Sequence, residues 1–432
     1  MRKGTRPKPT REGPARRGTT QAPARAPPYL QPSVKLIALH HRLGNLTGHR
    51  YNEGLALIDE SQRRGWRLDL LIAAGAPDAV LQGLGDAARP VFNDPTFDFS
   101  RTFQARVDDF VSQLRAYAEP RVERDDRVLS TVTTQCEACA LARWAKTLPA
   151  DRMPWFFVLF LSDRWNREGA RPDEPAELET AALEFAALNP AVRERFVLCA
   201  AQDGLARELS GRLRQRVSIV PAALNYAGFE AVARMRLERA IPRAPAVAMV
   251  GGARTEKGSD RLADIITACR KVTNARFIVQ AHNEDLEPAA FERLRALRDE
   301  PDVTLLEGAM ERDDYMRVLA EADALLHPYI RKNYKQRNSG IFCEGVAAGL
   351  PSIVPSGTWL AEQIESGRAA GISYDGDTTD DLAAAVRRCI ERIGELTRTA
   401  APLAAPWRES ESLTASLDAM ERLRAMRGGS GL

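Results

Sequence analysis

Tyr334-Lys-Gln-Arg-Asn-Ser-Gly-Ile-Phe-Cys-Glu-Gly-Val-Ala-Ala-Gly-Leu-Pro-Ser-Ile-Val-Pro355 joins an anion-binding turn to a buried strand through one short helix. Ser339-Gly340 opens that helix with free backbone N–H groups, Gly349 and Pro351 end it, and Ser352-Ile353-Val354 leads into a β-strand. Glu344 lies inside the helix. An acid about one turn beyond a phosphate-binding helix start is placed to accept hydrogen bonds from a sugar hydroxyl, as the acid of dinucleotide-binding units does with ribose. A turn, helix and strand in this order are the repeating unit of an open parallel α/β sheet.

The same alternation extends in both directions. Upstream, Ala246-Val-Ala-Met-Val250 begins a series whose later strands are expected at 275–280, 303–306, 324–328, 352–354 and 371–374. Helices near 259–271, 286–298, 312–322, 340–348 and 379–394 fill the gaps. Before Pro242 and Pro245 an earlier series reads as strands at 34–39, 67–72, 127–133, 155–162, 195–200 and 217–220, with a helix over about 50–63. The organisation expected is therefore a tail (1–33), an α/β domain (34–240), a second α/β domain (241–405) and a closing helical segment (406–432). Ligands of such sheets bind at the carboxyl ends of the strands, here in the cleft between the two halves.

Length and composition agree. A chain of 432 residues exceeds one ordinary core, and 44% hydrophobic with 28% charged residues is the composition of a globular protein. The longest apolar run, Trp155–Leu161, is far short of the roughly 20 residues needed to span a bilayer. Residues 1–33 lack the apolar stretch of a signal peptide, and a cytoplasmic location is the expectation, with peripheral contact at the inner membrane face left open. The tail holds eight Arg/Lys and one Glu, so the net charge of +3 divides into +7 there and about −4 elsewhere. Its plain reading is a solvated extension, and its sharper one is weak attraction to an anionic membrane. Without interleaved aromatics it does not read as a nucleic-acid arm. Six scattered cysteines suit a reducing compartment, and Cys136-x-x-Cys139 has no partner pair at metal-ligand spacing, so no metal site is expected.

Cations gather beside the proposed phosphate turn. The loop after strand 246–250 reads Gly251-Gly252-Ala253-Arg254-Thr255-Glu256-Lys257-Gly258, where Arg254 and Lys257 can grip a diphosphate. Departure of a sugar from a nucleoside diphosphate leaves charge on the β-phosphate, so fixed cations and helix-start N–H groups aimed there stabilise the transition state. In the first half, His40, His41, Arg42, Asn45, Thr47 and His49 crowd the loop after the first strand, with Gly44, Gly48 and His41 the leading candidates for cleft contacts. His282 and His327 read as structural. Asp375-Gly-Asp377 reads as a helix start with an acidic first turn rather than a metal ligand pair.

Segment 334–355 resembles the donor-site helix of family 4 glycosyltransferases, in the variant with Tyr-x-x-Arg-x-Ser-Gly ahead of the helix. Lys257-Gly258 matches the family's Gly-Arg-x-x-x-x-Lys-Gly loop, with Gly252 at the usual arginine position and Arg254 two residues on. Gly48, Leu55-Ala56 and Gly65-Trp66 follow the spacing of the family's first helix. The resemblance implies a GT-B architecture: two Rossmann-like parallel-sheet domains facing a cleft, with the last helix packed back on the first domain. It implies transfer of a sugar from a nucleoside-diphosphate-sugar donor to a glycan or lipid-linked acceptor with retention, a course that Gln336 leaves open. No tightly bound cofactor is expected, nor a metal, since the cations supply the charge a divalent ion otherwise would. On that reading Arg254, Lys257, Arg337 and the N–H groups of Ser339, Gly340 and Ile341 hold the diphosphate. Glu344 holds the ribose, Gln336 lies near the sugar, and Gly252, Gly44 and His41 line the cleft. The family's first acidic position is Gln336 here, which keeps hydrogen-bonding capacity without charge. A nucleotide-sugar epimerase of the same architecture and a non-catalytic scaffold in glycan assembly are the alternatives.

Overall fold

The computed structural model describes residues 34–44, 46, 49–93, 98–163, 165, 170–239, 244–282 and 288–428. The basic tail, and with it both readings of its role, lies outside them, as do Asn45, Thr47 and Gly48 of the first loop and the side chain of His49. Among the described residues the chain forms two all-parallel sheets. The first contains β1 (Lys35–His40), β2 (Arg67–Ala73), β3 (Ala88–Phe92), β4 (Arg127–Ser130), β5 (Trp155–Phe160), β6 (Phe196–Ala200) and β7 (Val217–Ile219), in the order 3-2-1-4-5-6-7. The second contains β8 (Ala246–Met249), β9 (Arg276–Ala281), β10 (Val303–Glu307), β11 (Ala324–Leu326), β12 (Ser352–Pro355) and β13 (Gly371–Tyr374), in the order 10-9-8-11-12-13. This is the two-domain α/β architecture expected.

Parallel sheets carry helices on both faces, so their central strands are apolar on both sides. In β5, Phe156, Val158 and Phe160 enter one core while Trp155, Phe157 and Leu159 enter another. In β8 the same alternation sends Ala246 and Ala248 one way and Val247 and Met249 the other. Strand β3 was not expected. Its Arg89 and Pro90 break the apolar run, and proline cannot donate to a ladder, yet on a sheet edge a missing donor costs little. Every other expected strand is present, to within a few residues at its ends.

In both sheets the winding reverses beside the first strand, between β1 and β4 and between β8 and β11. Such reversals leave a crevice at the carboxyl ends of the strands. The loops of interest leave from there: residues 41–48 after β1, 250–258 after β8 and 327–339 after β11. The chain then returns. Leu413 donates its N–H to the Leu224 carbonyl at 2.9 Å, and the helix Leu413–Gly428 lays Leu413, Leu417 and Met420 into the first sheet's core. Arg127 pairs with Glu421 at 2.7 Å, and Arg64 with Asp418 at 2.5 Å. The cysteines are buried free thiols, Cys136 and Cys139 inside the helix Gln135–Ala145. Asp375 and Asp377 sit before a helix capped by Thr378, and its acidic first turn is Asp380-Asp381 instead.

Candidate donor site

The turn after β8 is shaped by glycine. Gly251 has φ +104°, and a Cβ there would lie 2.3 Å from Ile341 Cδ1 and 3.1 Å from Lys257 Nζ. The positive φ and the close Ile341 side chain and Lys257 ammonium leave room at 251 for glycine alone. Gln280, at the end of β9, fixes the turn: its Oε1 accepts the Gly251 N–H at 2.8 Å, and its Nε2 donates to the Gly308 carbonyl at 3.0 Å. Sequence reading placed Gln280 in a strand without a role. The available signal was a lone amide among Phe277, Ile278, Val279 and Ala281. At the far end of the loop Gly258 has φ +73°, and a Cβ would come within 2.2 Å of the Pro328 carbonyl oxygen.

The helix Gly340–Ala347 is capped by Ser339, whose Oγ accepts the Phe342 N–H at 3.3 Å and lies 3.1 Å from the Tyr329 hydroxyl. Tyr329 stacks on Tyr334 at 4.1 Å, and the Arg337 guanidinium lies over the Tyr334 ring at 5.0 Å. Glu256 stands between two guanidiniums, 3.5 Å from Arg254 Nη1 and 3.6 Å from Arg337 Nη1. Arg254 and Arg337, two of the three cations expected on a diphosphate, are thus brought together from separate loops.

Lys257 is partly exposed as a residue while its ammonium is enclosed. Burial, then the charges of Arg254 and Arg337, bring its pKa down to about 7. Glu256 and Glu344 pull the other way. Glu344 is buried in the second turn of the helix, its Oε2 accepting the Tyr315 hydroxyl at 2.6 Å. His327 is buried at the end of β11, edge-on to Tyr329 and Phe342. Burial and then Lys257 hold it neutral, with a pKa of about 3.

Across the cleft the picture differs from expectation. His41 is 1% exposed, edge-on to Phe92 and Phe110, with Nε2 3.4 Å from Glu137 Oε2. It is a correction to the expected cleft contact: the ring packs into the first domain's core, because Glu137 at a helix start and two phenylalanines offer it a closed pocket. Gly44 remains at the surface of the loop, where a Cβ would meet only Ala73 at 3.8 Å. Gln336 does reach the seam between the domains, its amide carbon 3.4 Å from where a Cβ on Gly204 would lie. Asp163, just past β5, was not singled out by sequence reading. It is buried, and burial raises its pKa to about 6, with Glu208 adding to the rise and Arg337 and Lys335 of the other domain opposing it. Among the described residues no cluster of three or more His, Cys, Asp or Glu side chains is poised to hold a metal ion.

No family model matches the chain, and no curated protein matches it by sequence. Solved structures do match. The Anabaena protein HepE in complex with UDP superposes with a TM-score of 0.61 at 16% identity, over 90% of this chain and 100% of that one. A glycosyltransferase from Rickettsia africae gives 0.62 at 10%, over 91% and 99%. Sucrose-phosphate synthase from Thermosynechococcus elongatus gives 0.60 at 14%, over 92% and 100%. At these identities the likeness establishes the fold alone, the two-domain GT-B architecture.

Proposed function

We propose that this protein is a glycosyltransferase that moves a sugar from a nucleoside-diphosphate-sugar donor to a glycan or lipid-linked acceptor in polysaccharide or glycoconjugate synthesis. The observation that carries the reading is the meeting of Lys257, the Gly251 turn and the side chain of Ile341, in the first turn of the helix, at the β8/β11 reversal, flanked by Arg254 and Arg337. The fold neighbour HepE was solved with UDP and with UDP-glucose, which supports a nucleoside diphosphate as the ligand class.

In this mechanism the diphosphate lies against the Gly251-Gly252 turn and the N–H groups of Gly340 and Ile341. Lys257, Arg254 and Arg337 stabilise charge as it grows on the leaving β-phosphate oxygen. These cations act without a metal ion in the reaction we propose. Glu344 holds the ribose, oriented by Tyr315, and Gln336 faces the sugar. Retention at the anomeric carbon is the course that goes with the resemblance.

The test is thermal-shift binding and turnover with UDP-, GDP-, ADP- and dTDP-sugars, with Lys257→Ala as control. One nucleotide is expected to stabilise the wild type selectively, the variant is expected to lose both the shift and turnover, and the product anomer reads the stereochemistry. No shift with any donor would favour the scaffold reading, and conversion of donor to an epimer without acceptor would favour the epimerase.

A further inference from the structure

At the carboxyl ends of β4 and β6 the first domain carries buried amide and hydroxyl groups with unmet hydrogen bonds. Thr133 donates its N–H to Leu159 of β5, and Ala201 donates to Phe160, so the loops leaving β4, β5 and β6 start side by side. On this shelf Gln202 is 4% exposed, and neither its Oε1 nor its Nε2 has a partner. Thr131 Oγ1 and Gln135 Nε2 are likewise buried and unpartnered. From the other domain, the Gln336 amide lies against Gly204, two residues after Gln202, and its Oε1 is also unpartnered. Buried polar groups are costly to leave unpaired. Amides that each donate and accept match the hydroxyls of a sugar, whereas an ionised phosphate, which only accepts, would leave the amide oxygen unpaired.

We infer that Gln202 is a specificity-determining residue that reads hydroxyls of the transferred sugar from the first domain, opposite Gln336. The inference rests on the donor-site reading above, with the nucleotide held by the second domain and the sugar lying in the seam. It makes the sugar subsite a two-domain device. The nucleotide then binds through residues of one domain, whereas the sugar contributes affinity only where both walls meet. A site built to pair with a hydroxyl discriminates strongly against a sugar that lacks or inverts it, because its own polar groups are left unsatisfied.

The experiment measures, by calorimetry, the affinity of the nucleoside diphosphate and of its glucose, galactose, mannose and N-acetylglucosamine conjugates, using whichever nucleotide binds. It compares wild type with Gln202→Leu, which keeps the shape, and Gln202→Glu, which keeps an acceptor. The bare diphosphate is expected to bind all three alike. The preferred sugar conjugate is expected to bind Gln202→Leu about ten-fold or more weakly, with the ranking of sugars flattened and partial recovery in Gln202→Glu. Equal loss for diphosphate and conjugate, or no change in either, overturns the role of Gln202 while leaving the donor site in place. Absence of any nucleotide binding by the wild type overturns both.

Discussion

Donor affinity should fall steeply above neutral pH, because Lys257 must regain a proton to meet the diphosphate. Before the donor binds, burial and the guanidiniums of Arg254 and Arg337 hold this lysine at about 7. His327, which acts on it from the end of β11, is already neutral in this range and does not titrate with it. A diphosphate brought against the ammonium restores the charged form and returns the pKa toward its ordinary value of 10.5. Binding then takes up a proton, and each pH unit above 7 weakens affinity about ten-fold, or about 1.4 kcal/mol. From pH 6 to 8.5 the expected loss is about 30-fold, roughly 2 kcal/mol. A nucleotide sugar is the ligand to use, since its diester phosphates do not titrate in this range. Calorimetry in two buffers of different ionisation enthalpy should show uptake of about 0.9 proton at pH 8. Lys257→Ala should bind more weakly and lose the slope. Affinity independent of pH between 7 and 9, or the same slope in wild type and Lys257→Ala, would refute the reasoning. The linkage to folding has the opposite sign. A lysine depressed in the folded state binds fewer protons than in the unfolded chain, so its contribution to stability rises with pH between about 7 and 10.5.

Two further outcomes follow from the glycine turn and the helix acid. Gly258→Ala places a methyl against the Pro328 carbonyl in a left-handed conformation, and is expected to cost at least about 2 kcal/mol in chemical unfolding and to weaken donor binding; unchanged stability and affinity would show that the loop relaxes freely. Glu344→Gln removes the charge that Tyr315 orients and is expected to weaken nucleotide binding by about 1.5–3 kcal/mol, with equal affinity in a folded variant removing Glu344 from the ribose.

Much of this architecture was legible in the chain. Strands buried on both faces read as near-continuous apolar runs, so β1, β5 and β8 stood out, and Gly349 with Pro351 marked the end of the donor-side helix. The edge strand β3 was not legible, because Arg89 and Pro90 are tolerated only where one side of the ladder is open. Lys257, Arg254, Ser339 and Glu344 were legible as residue types at a spacing near a helix start. His41 was misread, since a polar residue in a loop looks the same in sequence whether it faces a cleft or turns inward to a buried carboxylate.

Local order along the chain therefore specified the two sheets, the glycine turn and the capped helix, because backbone conformation and apolar period act over a few residues. The approach of Gln280 to Gly251, of Arg337 to Glu256, and of Gln336 to Gly204 joins residues 29, 81 and 132 positions apart. The first two arise only when the second sheet winds, and the third only when the two domains meet. The depressed pKa of Lys257 and the unmet amide of Gln202 are likewise properties of enclosure, which depends on what packs around a side chain and not on its neighbours in sequence.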